Sequence, residues 1–168
     1  MLHTTRRNLL KGSLAAGLSL AMPFSRVRGA NDDIRVAVVG LGNQGPNHVN
    51  WFRAIPGVRV IALCDPDSER LGAQAKKFQD RNESVDTYAD YRKLLEDKDI
   101  DAVITATPNH WHALVTIWAC QAGKDVYVEK PVSHDLWEGR QMVKAARKYN
   151  RIVQSGTQRR SDDGLAEA

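Results

Sequence analysis

The feature that most constrains this chain is a β-branched apolar run, Ile34-Arg35-Val36-Ala37-Val38-Val39, broken only by Arg35, that feeds directly into Gly40-Leu41-Gly42-Asn43-Gln44-Gly45. A β-branched run without polar alternation is the pattern of a strand covered on both faces. The residues after the glycines, 47–55, show helical spacing through Val49, Phe52 and Ile55 before Pro56-Gly57 stops them. Strand, glycine turn and helix are the three parts that give a GxGxxG pattern its meaning. Gly40 permits the tight turn, Gly42 lets backbone approach a pyrophosphate, and Gly45 lets the helix pack close to the strand. The helix N-terminus then offers amide hydrogens and a partial positive charge to phosphate groups.

The same rhythm continues along the chain. Residues 58–64 form a second apolar run and 67–79 a polar helix with Leu71, Ala75 and Phe78 on one side. Thr87-Tyr88 marks a short third strand, Asp90 caps a helix over 91–96, and residues 102–106 supply a fourth strand. Trp111, Leu114, Val115, Trp118, Ala119 and Ala122 make the stripe of a helix lying on a sheet, closed by Gly123. A fifth strand over 125–128, a helix over 135–149 with capping-box spacing at Asp135 and Glu138, and a sixth strand over 152–155 complete the series. Strands alternating with helices predict right-handed βαβ units, and hence an α/β fold with a doubly wound parallel sheet of the Rossmann type. Asp65 ends the second strand twenty residues past Gly45, where a carboxylate accepts hydrogen bonds from an adenosine ribose and repels a 2′-phosphate. With Asp67 beside it and no Arg or Lys before Arg70, NAD is favoured over NADP.

Composition enters through the charge. The chain holds 24 basic and 20 acidic residues, for a net +4 and a pI near 9.2. Arg6, Arg7, Lys11, Arg26 and Arg28 all lie in the first 30 positions, which contain no acid, so 19 basic residues face 20 acidic ones from Asn31 onward. The body is near neutral, which argues against nucleic-acid binding. The leader itself has a positive start followed by an uncharged stretch over 12–24, too short to span a bilayer. Thr5-Arg6-Arg7-Asn8-Leu9-Leu10-Lys11 looks like a twin-arginine export signal, so residues 1–30 are expected to be a signal peptide and the protein periplasmic or exported. Cys64 and Cys120 have neither metal-like nor redox spacing and read as buried small residues.

Two further clusters fall where such a sheet places ligands, outside the carboxyl ends of its strands. One is Thr107-Pro108-Asn109-His110-Trp111-His112 after the fourth strand; the other is Glu129-Lys130-Pro131 after the fifth. Asn109 is a good N-cap for the following helix. His110 and His112 read equally well as plain first-turn residues, and no metal site is expected, because residues two apart on a helix point in different directions. Lys130, between a buried strand and a proline, is expected to face the cleft.

Together with Cys64-Asp65-Pro66-Asp67 and Gly156-Thr157-Gln158-Arg159-Arg160, these motifs resemble the N-terminal half of the Gfo/Idh/MocA oxidoreductases. The resemblance covers residues 34–160 and implies that 31–160 is an NAD-binding Rossmann domain. It places Asn43 and Gln44 with Gly40, Gly42 and Gly45 in the phosphate loop, and Asp65 on the adenosine ribose. Thr107, Pro108, Asn109 and His112 fall along the nicotinamide side. Lys130 stands beside the reacting centre as the catalytic cation that stabilises a developing oxyanion, and Glu129 orients Lys130 or the ribose instead of acting as a base. Members act on sugars or polyols and continue into a second α/β domain that carries the substrate site and often the oligomer contacts. Residues 161–168 read instead like the first turn of a helix that is cut off, so the chain is expected to be a fragment that binds NAD with little turnover. It is expected to self-associate only if the second domain is present. The partners implied are a small carbohydrate and the twin-arginine export machinery. The alternatives are an NAD-dependent glycosidase of the same family and a non-catalytic NAD-binding remnant.

Overall fold

The computed structural model describes residues 33–157. The export signal expected over 1–30, the cut-off helix expected over 161–168, and Gln158, Arg159 and Arg160 lie outside the described residues. The elements are β1 (Ile34–Val39), α1 (Gly45–Arg53), β2 (Val58–Cys64), α2 (Ser68–Gln79), β3 (Asp86–Tyr88), α3 (Tyr91–Glu96), β4 (Ala102–Thr105), α4 (Asn109–Gln121), β5 (Asp125–Val128), α5 (Leu136–Tyr149) and β6 (Val153–Ser155). All strands pair in parallel in the order β3-β2-β1-β4-β5-β6. The chain therefore winds outward from β1 in one direction and from β4 in the other. The crevice between those two strands is the topological switch point, where doubly wound sheets bind ligands.

The apolar strand runs explain themselves in the packing. Val36 and Val38 of β1 face one cluster with Val49, Leu63, Phe78 and Ile104. Their neighbours Ala37 and Val39 face the opposite cluster with Ala62, Val103, Ala119, Val128 and Met142. Successive side chains point to opposite faces, so a strand buried on both must be apolar at every position.

Three helix starts are capped by acids, Asp90 and Asp135 as expected and Asp67 in addition. Asp67 accepts from the Glu69 and Arg70 amides, and Asp90 from the Arg92 amide. Asp135 accepts from the Glu138 amide while Glu138 reaches back to the His134 amide, a one-residue variation on the capping box. Helix α4 departs from expectation. It begins at Asn109 with Pro108 as its cap residue, and no side chain caps it, so Asn109 is the first helical residue and not the N-cap. Its buried face carries His112, Ala113, Val115, Thr116, Ala119 and Cys120, whereas Trp111 and Leu114 of the expected core stripe are 45% and 37% exposed.

Lys124 is 4% exposed and donates to the Asp97 and Ile100 carbonyls, tying the turn before β5 to the approach of β4. Cys64 and Cys120 are buried free thiols, and burial pushes Cys64 up to about 12. No helix among the described residues is long and apolar enough to cross a membrane.

Candidate functional site

A cleft of about 1000 Å³ opens at the carboxyl ends of β1, β2 and β4. Its floor is the glycine turn. Gly40 has φ +85°, which an L side chain rarely adopts, and a Cβ there would stand 2.8 Å from the Thr107 amide nitrogen. A Cβ on Gly45 would overlap the Gly40 carbonyl oxygen. Gly42 is different, because the nearest atom to its missing Cβ is Arg70 Nη1 at 3.5 Å, so its bare backbone faces the cleft. Two glycines thus shape the turn and the third leaves room above it.

Helix α1 presents its N-terminus to this turn without a side-chain cap and without an acid in its first turn. Gln44, its cap residue, uses Oε1 to accept from the Asn47 amide group instead. The uncapped amides and the positive end of the helix are therefore disposed to hold an anion. Asn43 and Gln44 line the cleft beside them.

Asp65 lines the cleft at the end of β2 and already holds two backbone donors. Its Oδ2 accepts from the Leu41 amide at 2.6 Å and its Oδ1 from the Asp67 amide at 2.9 Å. The same carboxylate that the spacing assigned to a ribose thus locks the glycine turn to β2. Each oxygen retains a second lone pair for a hydroxyl donor. Around it stand the pairs Arg70–Asp67 at 3.1 Å and Arg92–Asp90 at 2.7 Å. With Asp65 they make three acids against two guanidinium groups at this end of the cleft.

The wall facing Asp65 is aromatic. Tyr91 stacks on Trp118 with ring centroids 6.4 Å apart, its hydroxyl donates to the Val115 carbonyl, and Trp111 stands at the mouth. Tyr91, Trp111, Trp118, Arg70 and Arg92 were not among the expected site residues. The seven-residue spacing of Trp111 and Trp118 was visible, but it is the same whether the face meets a core or a flat ligand.

Thr107 and Pro108 line the β4 side of the cleft, with the Thr107 hydroxyl 3.0 Å from that of Thr105. Asn109, His112, Glu129 and Lys130 do not form its walls. His112 is 2% exposed, and its ring lies between the Pro131 carbonyl at 2.7 Å from Nδ1 and the Thr107 carbonyl at 2.8 Å from Nε2. It braces the loop after β4 against the loop after β5. Lys130 is exposed, and its ammonium has no hydrogen-bonding or ionic partner among the described residues. Its peptide precedes Pro131 in the cis form.

Beneath Lys130 lies a buried pair absent from the sequence expectation. His48 of α1 is fully buried and its Nε2 is 2.8 Å from Glu129 Oε1, while Glu129 Oε2 accepts from the Lys130 amide at 3.0 Å. Burial holds the His48 pKa below its ordinary 6.5, outweighing the pull of Glu129. The unfolded chain therefore binds a proton at His48 that the folded one refuses. This contribution to stability is present above about pH 6.5 and declines as the pH falls below it. Urea unfolding followed between about pH 7 and about pH 5 should show that decline, and His48→Gln should flatten it.

The doubly wound sheet, the glycine turn under an uncapped helix and the acid at the end of the neighbouring strand define an NAD-binding Rossmann domain. The chain belongs to the Gfo/Idh/MocA family, since residues 34–157 match the family model described as "oxidoreductase family, NAD-binding Rossmann fold". Among curated relatives, it is 35% identical over 136 residues to scyllo-inositol 2-dehydrogenase (NAD(+)) of Bacillus subtilis, covering 80% of this chain and 39% of that protein. It is 31% identical over 162 residues to a glycosyl hydrolase family 109 protein of Saccharopolyspora erythraea, covering 80% and 35%. Among solved structures, myo-inositol 2-dehydrogenase of Lactobacillus plantarum superposes with a TM-score of 0.73 at 33% identity, over 80% of this chain and 39% of that one. The WlbA dehydrogenase of Chromobacterium violaceum, solved with NADH and UDP-GlcNAcA, gives 0.75 at 27% identity, over 86% and 41%. The chain thus spans between about a third and two fifths of the length of these relatives.

Proposed function

We propose that this chain is the cofactor half of an exported oxidoreductase that moves hydride between NAD and a sugar or polyol derivative. The observation that carries the proposal is the placement of Lys130, whose ammonium has no partner among the described residues, at the carboxyl end of β5, on the side of the switch point opposite Asp65. A dinucleotide whose adenosine ribose lies at Asp65 and whose pyrophosphate lies over Gly42 runs toward β4 and β5 with its nicotinamide. There NAD supplies the hydride acceptor. Lys130 would hold the substrate oxygen and stabilise the negative charge that develops as its proton leaves. Thr107 and Pro108 would flank the nicotinamide half, and Asn43 and Gln44 the phosphates. Asn109, the first residue of α4, would stand near that half. NAD is preferred over NADP because Arg70 and Arg92 are each held by an acid and Asp65 opposes a 2′-phosphate. Export by the twin-arginine route is part of the same reading, carried by Thr5-Arg6-Arg7-Asn8-Leu9-Leu10-Lys11.

A second reading, NAD-dependent glycoside cleavage, is favoured by the similarity to a glycosyl hydrolase family 109 protein. One experiment separates the two. The product of the complete open reading frame is incubated with NAD⁺ and a panel of inositols, aldoses and aryl glycosides. Net NADH formation supports the dehydrogenase, whereas sugar release without net NADH supports the glycosidase. Neither signal, with cofactor binding intact, leaves NAD binding alone as the function and refutes the proposal.

A further inference from the structure

We propose that His48 is a positioning residue for the nicotinamide side of the cleft: through the Glu129 carboxylate it fixes the Glu129–Lys130 peptide and so sets where the Lys130 ammonium stands. This rests on the placement of Lys130 beside the nicotinamide. The chain of contacts is continuous. His48 lies in the first turns of α1, the helix that receives the pyrophosphate, and its Nε2 meets Glu129 Oε1 across 81 residues of sequence. The other oxygen of Glu129 accepts from the Lys130 amide. One carboxylate therefore couples the phosphate-binding helix to the backbone of the lysine. On the far side of the lysine, the Pro131 carbonyl is held by His112, so the turn is gripped at both flanks.

The tautomer follows from donor counting. A carboxylate only accepts, so Nε2 carries the proton. Nδ1 is buried without a hydrogen-bond partner among the described residues, and the ring is packed edge-on against Trp51 and Tyr127 at centroid distances of 5.3 and 5.4 Å. A ring that served only to fill the core would have no need of a buried acceptor aimed at one nitrogen while the other goes unsatisfied. An apolar residue of similar volume would avoid both costs.

The test separates positioning from simple packing with two ligands on the full chain. NADH spans the whole cleft, whereas ADP occupies only the end at Gly42 and Asp65. His48→Leu removes the donor and keeps the volume, and His48→Gln restores an N–H donor. The expected result is NADH binding weakened about tenfold by His48→Leu, with ADP within about twofold of the parent and recovery in His48→Gln. Equal losses for both ligands, or no recovery in a folded His48→Gln, would overturn the inference. Lys130→Ala adds the coupling. It should weaken NADH about fivefold in the parent and less than about twofold in the His48→Leu background. An unchanged effect in that background overturns the role of His48. No effect in the parent instead overturns the placement of Lys130. If His48→Leu fails to fold, long-range ¹⁵N–¹H spectra of the parent decide: a proton on Nε2 and a bare Nδ1 support the inference, and a proton on Nδ1 alone overturns it.

Discussion

Gly45→Ala is expected to abolish cofactor binding and to destabilise the domain by about 3 kcal/mol or more, because the added methyl would occupy the Gly40 carbonyl oxygen. The clash is with backbone, and no rotamer relieves it. Either α1 moves off β1, withdrawing its N-terminal amides from the phosphates, or the turn at Gly40 opens against the Thr107 and Ala106 backbone it already touches. Both outcomes damage the same surface. Chemical denaturation read beside NADH titration should show stability and affinity falling together. By contrast, Gly72→Ala serves as a control, since nothing lies within 4 Å of that position and the residue is in α2. Alanine there should be neutral or stabilising by up to about 1 kcal/mol.

Asp65→Ala should have the second largest effect. It strips the acceptor from two backbone amides, Leu41 and Asp67, at a site where the residue is 6% exposed. The expected cost is about 2 kcal/mol of stability. NADH affinity should fall at least about tenfold, since both the ribose acceptor and the tie that shapes the glycine turn are lost. NADPH should lose less, because a carboxylate that repels its 2′-phosphate has been removed while Arg70 and Arg92 remain in the cleft. The ratio of the two affinities should therefore narrow. Competition titrations with both nucleotides check this, and a ratio that widens would mean Asp65 does not face the ribose.

Much of this was legible in the residues, and the reason differs by element. Apart from one arginine near the start of each, Arg35 and Arg59, the runs of β1 and β2 are apolar on both faces, so their limits at Ile34–Val39 and Val58–Cys64 could be read directly. Asp67, Asp90 and Asp135 cap helices because the capping bond is local, made within three residues. The stripe on α4 reads as core facing, which holds for the buried Val115 and Ala119, while Trp111 and Leu114 are exposed. Trp111 and Trp118 line the cleft, and periodicity reports which residues share a face without reporting what that face meets. The double duty of Asp65 was hidden because its partners are backbone amides, which carry no sequence signal. His48 was missed for the opposite reason: it has a specific side-chain partner, but one that only the pairing of β1 with β4 and β4 with β5 brings near. His112, expected along the nicotinamide side, is buried, with its ring between the Pro131 and Thr107 carbonyls.

The charge has an analogous resolution. Among the described residues near the cleft the arginines are paired with acids, so the excess of positive charge in the whole chain does not mark a polyanion surface.

The central claim is that the cleft over Gly42 binds NAD. Because Trp111 and Trp118 line it, titration of the chain with NADH should quench tryptophan emission saturably and excite nicotinamide emission by energy transfer. Excess ADP should reverse both signals by displacing the adenosine half. Saturation reversed by ADP is the predicted result; a linear response with no plateau at millimolar NADH, indifferent to ADP, would contradict the account.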